Sequence, residues 1–408
     1  MTLGMVLTRR GVGFLVTALV CFVLAPMMSL PALLTATALL LALVVFSAVF
    51  VLVGHSSIRI DRTFAPEVID PGQSTEVTVT VSNLSLLPCL ESHWEDTLPP
   101  GLSAEASGTL PSLGGSRGHT SRVRFTYRLQ GLRRGRHHIG PLSVHVLDPF
   151  GLVFRRHRFG GSAALIVLPK RVQLWPLRPH GADNDGASRP APQHVGVGDD
   201  DVIARAYLPG DAMKRLHWKA TAHRGELMVR QEEQQVNPRA GVVIDRDALS
   251  FGTVRDRQGA WEYSAAFEWA VTATASVIVH LVRVGYVVVA RSPGGALDRH
   301  VSEAHDTVED ALIDLATIEP TDAADLDVET GERTTFVVLG RPSTDRAREW
   351  AQALSSSSTV LAFVGRGTSE EALDILSAAR WRCISYNPND EVAERWSELD
   401  GTRSHAAR

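Results

Sequence analysis

The spacing of hydrophobic and polar positions changes twice along the chain. No charged residue occurs from Gly11 to Gly54. Such a stretch is about twice as long as the roughly 20 residues that carry a helix across a bilayer core. Pro26 and Pro31 fall near its middle, so the pattern predicts two spans, Gly11–Leu30 and Ala32–Val53, joined by a tight turn. From Ser56 to Gly160 the period drops to two. In STEVTVTVSN (Ser74–Asn83), Val77, Val79 and Val81 share one face, and SRVRFTYRL (Ser121–Leu129) alternates likewise. Turn signals at Pro71 and Pro99 separate the runs, and His138–Val153 predicts a strand ending in a DPFG turn. Short strands punctuated in this way predict a small β-sandwich of immunoglobulin-like type.

A further strand is expected over Ala164–Leu174. The stretch Arg178–Asp201, rich in Gly, Pro and Asp and without apolar periodicity, predicts a mobile loop. Beyond Arg239 the pattern becomes near-continuous apolar strands (Ala240–Asp245, Tyr286–Arg291, Thr334–Gly340, Thr359–Gly365, Arg382–Tyr386). Between them lie helical segments (Ala260–Arg283, Glu303–Ile318, Thr344–Leu354, Ser369–Ala379). Strands of this kind alternating with helices predict an α/β domain whose mainly parallel sheet is covered on both faces. The expected organisation is a helical hairpin over 1–55, a β-sandwich over 56–163 and a connecting region over 164–238. An α/β domain over 239–395 and a fraying polar tail over 396–408 complete it.

A formal net charge of −4 gives no overall field for nucleic acid. The three cysteines, Cys21, Cys89 and Cys383, have neither disulfide-framework nor metal-ligand spacing. Arg9 and Arg10 precede the apolar hairpin and Arg59 and Arg62 follow it, while its turn is uncharged. The positive-inside rule then places both ends, and everything after Val53, in the cytoplasm. A cleaved signal peptide ending near Ala25 competes with this reading, but a second and longer apolar span follows at once.

The busiest stretch is LPGDAMKRLHWKA (Leu208–Ala220). Pro209–Gly210 is a turn signal, Asp211 suits an N-cap, and Met213, Leu216, His217 and Ala220 form a helical stripe that Gly225 would end. Glu226–Gln235 then reads as a strand with Leu227 and Val229 on one face. His217 fits a packed histidine better than a catalyst, and Trp218 a packing anchor. What the helix does not explain is charge. Val202–Arg230 carries six basic residues, Arg205, Lys214, Arg215, Lys219, Arg224 and Arg230, against Asp211 and Glu226. A solvated face accounts for this simply; a docking surface for an anion or an acidic partner is the sharper alternative.

These residues also carry a resemblance. Ala204–Gln234 resembles the signature of the DUF58 family, roughly R-x-Y-x-x-G-D-x-x-R-x-I-H-W-x-x-x-A-R-x-x-x-L. The matching positions are Arg205, Tyr207, Gly210, Asp211, Arg215, His217, Trp218, Ala222, Arg224 and Leu227, with His223 as a departure. Arg133–Arg156 resembles the family's R-G-x-Y-x-L-G-P…D-P-F-G-L-F, with His137 where an aromatic is common. The resemblance implies a membrane-anchored cytoplasmic protein with a C-terminal domain similar to von Willebrand factor A domains. It also implies a MoxR-type AAA+ ATPase as partner, alongside the bilayer around residues 11–53 and other membrane or envelope proteins.

Domains of that kind often bind Mg²⁺ through Asp-x-Ser-x-Ser after the first strand, where a hard cation meets oxygen ligands at the sheet's carboxyl edge. Here the strand ends VVIDRDALSFG: Asp245 takes the first position, Asp247 stands in place of Ser, Leu249 replaces the second Ser, and Ser250 comes one residue late. The site reads as degenerate. No cofactor is expected, and Mg²⁺ on Asp245, Asp247 and Ser250 is the one metal the residues admit. His217 and His223 lack a third neighbour for zinc, and no dinucleotide, Walker A or nucleophile-elbow motif occurs. The expected function is a membrane-tethered interaction or assembly protein and not an enzyme. A hydrolase built on Asp211, His217 and Lys219, or anionic-surface binding by 202–230, are the alternatives.

Overall fold

The computed structural model describes residues 6–53, 58–86, 88–118, 120–176, 204–207, 216, 218–230, 238–302, 305–322, 325–328 and 330–399. The chain opens with a short strand, β1 (Val6–Leu7), and a hairpin of two apolar helices, α1 (Arg9–Met27) and α2 (Pro31–Val53). Helix α1 starts two residues earlier than the apolar run because Thr8 caps it, its hydroxyl accepting from the Gly11 amide at 3.1 Å. Pro31 opens α2, at the helix end where a missing N–H costs nothing. Both helices are long and apolar enough to cross a membrane, and most of their surface faces away from the rest of the protein.

A β unit follows. Its strands are β2 (Ile58–Ala65), β3 (Val68–Ile69), β4 (Ser74–Asn83), β5 (Ser92–Asp96), β6 (Leu102–Ser103) and β7 (Ser107–Leu110). They continue with β8 (Arg122–Gly131), β9 (Gly135–Ile139), β10 (Leu142–Leu147), β11 (Val153–Phe159) and β12 (Ala163–Val167). One antiparallel sheet has the order β2-β4-β8-β6, another β1-β11-β10-β5-β7, and a third small sheet β3-β12-β9 pairs β12 parallel to β3. The predicted alternation holds: Val77, Val79 and Val81 are fully buried. They share a core with Trp94, Leu142 and Val144 of the second sheet, and Trp94 stacks on Phe125 of β8 with centroids 4.2 Å apart. An enclosed network also joins the sheets. Arg62 of β2 forks onto Asp96 of β5 at 2.8 and 3.0 Å, and the Tyr127 hydroxyl donates to the same carboxylate at 2.8 Å. The single strand expected over His138–Val153 is instead three pieces. Gly140, at φ +109°, and Pro141 break it after β9, and the DPFG turn separates β10 from β11.

The strand expected over Ala164–Leu174 stops at Val167; Leu168 and Leu174 leave it to pack in the core of the α/β unit. The loop expected over 178–201 lies outside the described residues. The chain is next seen in a two-stranded ladder of β13 (Ala204–Ala206) and β14 (Met228–Arg230), with helix α3 (Trp218–Arg224) between them in sequence.

The α/β unit contains β15 (Arg239–Ile244), α4 (Ala265–Arg283), β16 (Val287–Arg291), β17 (Asp298–Val301), α5 (His305–Thr317) and β18 (Thr334–Val338). It ends with α6 (Thr344–Ala353), β19 (Thr359–Gly365), α7 (Glu370–Ala378), β20 (Trp381–Tyr386) and α8 (Val392–Leu399). Its sheet has the order β17-β16-β15-β18-β19-β20, parallel throughout except for β17. The sheet is therefore mixed, and the edge strand over Asp298–Val301 was not expected. Successive residues of β15 point into opposite cores. Val242 and Ile244 pack with α4, α5 and α8, whereas Val243 packs with α6 and α7, which explains the unbroken apolar strand. Helix α4 is also apolar enough to cross a membrane, but two-thirds of its most apolar window is buried inside this unit. The polar tail expected from residue 396 is corrected by α8: Trp396 is buried, and its indole N–H donates to the Trp175 carbonyl at 2.7 Å.

Candidate functional site

Three places collect chemistry: the signature ladder, the loop after β15, and the two contacts that tie the β unit to its neighbours. In the ladder, Arg205 lies on β13 and Lys219 on α3. Gly210, Asp211, Lys214, Arg215 and His217 lie outside the described residues, so the expected cap at Asp211 and the Asp211–His217 pairing fall there too. Two readings are corrected. Leu216 is not on a helical stripe but bridges Val229 of β14 in extended form, since the helix begins only at Trp218. Leu227 does not share a buried face with Val229: it precedes the strand and is exposed, while Met228 and Val229 are buried. The Tyr207 amide closes the ladder on the Leu227 carbonyl at 2.8 Å, and Gly225, at φ +74°, ends α3 as expected. Trp218, expected as a packing anchor, is 68% exposed, with Arg224 also exposed one helix length on.

The loop after β15 lies where the strand order of the α/β sheet reverses, the position at which open α/β sheets present ligand crevices. Asp245, Asp247 and Ser250 are all buried there. Asp245 Oδ1 accepts from the amides of Arg246 and Asp247, at 2.8 and 3.1 Å, while its Oδ2 has no hydrogen-bond partner among the described residues. Burial pushes this carboxyl up to about 6, against the lowering effect of the Asp247 amide and the Arg346 charge. The residues do not fit a magnesium shell. Ser250 Oγ donates to Asp247 Oδ2 at 2.8 Å, so that pair satisfies itself, and Leu249, in place of a second hydroxyl, is 81% exposed. The crevice is filled by chain as well. The Arg341 amide donates to the Ser250 carbonyl at 2.7 Å, and a Cβ on Gly340 would lie 2.4 Å from that oxygen. Among the described residues no three His, Cys, Asp or Glu side chains group to hold a metal.

The two tying contacts come from the second stretch of family resemblance. Asp148 of the DPFG turn is buried and accepts from four donors. These are the amides of Phe150, Leu152 and Val153, at 2.9, 2.7 and 2.7 Å, and the Ser47 hydroxyl of α2 at 2.8 Å. Burial alone would raise its pKa, but these donors together hold it below the usual carboxylate range. The turn also seats on α1: Thr8 donates to the Gly151 carbonyl at 2.6 Å, and a Cβ on Gly11 would lie 2.2 Å from the Leu152 oxygen.

Arg134, between β8 and β9, makes the second contact. It forks onto Glu268 in the first turn of α4, at 2.9 and 3.1 Å, and its Nη1 donates to the carbonyls of Leu315, Ala316 and Ile318 at the end of α5, at 2.8, 3.1 and 3.0 Å. A guanidinium suits both partners, a carboxylate and the negative end of a helix. Beside it opens a cleft of about 780 Å³, where Arg133 covers the Tyr263 ring at 4.9 Å and Arg255 the Trp261 ring at 4.0 Å. Sequence reasoning reached Asp148 and Arg134 only as members of a motif; their partners lie 101 and 134 residues away.

The architecture defines a class: a span-length apolar hairpin that carries a mostly antiparallel β unit and a mixed-sheet α/β unit. Residues 203–338 match the family described as "Protein of unknown function DUF58". The chain is also 26% identical over 248 residues to an uncharacterized protein of Bacillus subtilis strain 168, YeaD. That match covers 60% of this chain and 58% of the relative, so the chain spans less than two-thirds of the relative's length. Solved structures that overlay on part of the chain include the CARDB domain of the PF1109 protein from Pyrococcus furiosus, with 15% identity, 28% of this chain and 89% of that chain covered, and a TM-score of 0.21. A non-cellulosomal cohesin from Archaeoglobus fulgidus shows 10% identity, covers 27% of this chain and 91% of its own, and has a TM-score of 0.18. Overlays this loose carry no argument.

Proposed function

We propose that this is a membrane-anchored interaction or assembly protein that works from the cytoplasmic face with a MoxR-type AAA+ ATPase on membrane or envelope-associated clients, through its DUF58 segment. The observation that carries the reading is Trp218: a tryptophan 68% exposed at the start of a short helix, with basic Arg224 on the same element. Exposed Trp and Arg side chains are the residues that most often dominate binding energy at interfaces. The finer fold reading belongs with it. Two antiparallel sheets around one core support an immunoglobulin-like sandwich, and a strand order of third-second-first-fourth-fifth-sixth with only the third antiparallel supports a von Willebrand factor A-like domain. The incomplete oxygen set at Asp245, Asp247 and Ser250 supports a domain that acts without resident metal, by presenting a surface.

The test is capture of the full-length protein from detergent-solubilised membranes, with and without nucleotide, beside Trp218→Ala and Arg224→Glu. Wild type retains the ATPase in a nucleotide-dependent way, and Trp218→Ala weakens capture by about tenfold or more. Thermal stability stays within about 0.5 kcal/mol of wild type, as for other exposed positions. Failure to recover an ATPase in any nucleotide state, or undiminished capture by Trp218→Ala, overturns the proposal.

A further inference from the structure

We infer that the DPFG turn of the β unit is immersed in the bilayer interface, so that lipid is a binding partner of this domain and not only of the helices that anchor it. The inference rests on reading the hairpin as membrane-spanning. Depth is the first argument. Ser47, which donates to Asp148, lies well inside α2, about one and a half turns before Val53. At 1.5 Å per residue that is about 9 Å from the helix end. All of α2 is only about 34 Å long on the same arithmetic, close to the roughly 30 Å of a hydrocarbon core, so Ser47 lies a few ångströms inside the core's edge and the turn it holds meets the bilayer there. On the other side of the hairpin the turn crosses α1 at Gly11, its first turn.

The apolar surface is continuous with the spans. Phe150 lies edge-on to Phe46 of α2, with centroids 6.2 Å apart, and Phe46 is in turn 6.4 Å from Phe50. Phe150 is 46% exposed and Leu147 43%, beside Phe46 at 55%. Whatever solvates the exposed ring of Phe46 also solvates the ring that touches it. The polar groups agree. Asp148 is buried and has four donors within the protein, so the turn can lie against lipid without leaving its carboxylate unsatisfied. Cations ring the turn at the next level out. Arg9 and Arg10 open α1, and Arg155 follows Val153, which packs on Val51 of α2. Guanidinium groups at this height meet lipid phosphates.

Nitroxide accessibility in proteoliposomes tests the inference on the full chain, with Cys21, Cys89 and Cys383 replaced by Ala. Labels are placed on Phe150→Cys and Leu147→Cys in the turn, Val45→Cys in the span and Leu132→Cys on the 55%-exposed loop after β8. The labels at 150, 147 and 45 should be relaxed severalfold more by oxygen than by a water-soluble nickel chelate, and the label at 132 the reverse. Leu147→Cys decides the matter if Phe150→Cys loosens the Phe46 contact. Nickel-dominated relaxation in the turn, with oxygen-dominated relaxation at 45, overturns the immersed turn and leaves the anchor standing. Nickel-dominated relaxation at 45 overturns both.

Discussion

Replacing Arg134 with Ala removes five hydrogen bonds at once, two to Glu268 and three to the carbonyl end of α5. The Arg134 side chain is 9% exposed and its carboxylate partner 33%. The loss therefore falls between an exposed ion pair, worth about 0–1 kcal/mol, and the roughly 3–5 kcal/mol of breaking a buried one. Water from the neighbouring cleft can rehydrate Glu268, which lowers the figure, while three carbonyls lose a charged donor worth about 1 kcal/mol or more, which raises it. About 3 kcal/mol is expected, a change of about a hundredfold in local opening. Native-state hydrogen exchange on the full chain in lipid nanodiscs reads this as faster exchange of amides 315–319 and 321 and of the first turn of α4. Arg134→Lys keeps the charge but cannot hold the fork and the carbonyls together, and should recover about half of the protection. Unchanged protection at these amides in Arg134→Ala would refute the clamp.

Three further predictions use other sites. Asp148 has a depressed folded-state pKa, so its stabilisation is complete above the unfolded value, about 3.9, and is lost as pH falls through the folded one. Asp148→Asn should flatten this acid limb in a denaturation series of the β unit, and an unaltered limb would contradict the assignment. Asp245 has the opposite sign. With a folded value of about 6, the protein should gain about 2–3 kcal/mol as pH falls from 7 towards 4. Asp245→Asn should remove that gain, and Mg²⁺ should not move the unfolding midpoint; a saturable magnesium-dependent rise would show the oxygen set to be complete after all. Gly11→Ala places a methyl 2.2 Å from the Leu152 oxygen, so it should unseat the DPFG turn by about 1–3 kcal/mol. Proteolytic nicking at residues 147–153 would report this, and a wild-type cleavage pattern would count against the close contact.

Elements whose faces are set by local pattern were legible in the sequence. Val77, Val79 and Val81 alternate because one face of β4 meets the opposite sheet, and the unbroken apolar strands of the α/β unit reflect two covered faces. What escaped were short or polar elements and long-range partners. β17 spans only Asp298–Val301 and has a mostly exposed face, and α8 is polar on its outer side with Trp396 and Leu399 turned inward. Trp218 looked like core because a large apolar side chain is usually buried, yet its helix has too few turns to cover it. The roles of Arg134 and Asp148 depend on Glu268 and Ser47, and no periodicity relates residues so far apart in the chain.

The Arg134 clamp closes on more than a helix end. The segment it grips at Ile318 runs on to Thr321, whose amide donates to the Arg246 carbonyl at 2.8 Å and whose carbonyl accepts from the Ala248 amide at 2.9 Å. Arg246 adds a bond from its guanidinium to the Glu319 carbonyl at 2.8 Å. The hairpin, the DPFG turn, the β unit, the clamp and the loop at Asp245 are thus joined in series by hydrogen bonds. A displacement of the α/β unit relative to the β unit must therefore break these hydrogen bonds or carry the DPFG turn and the hairpin with it.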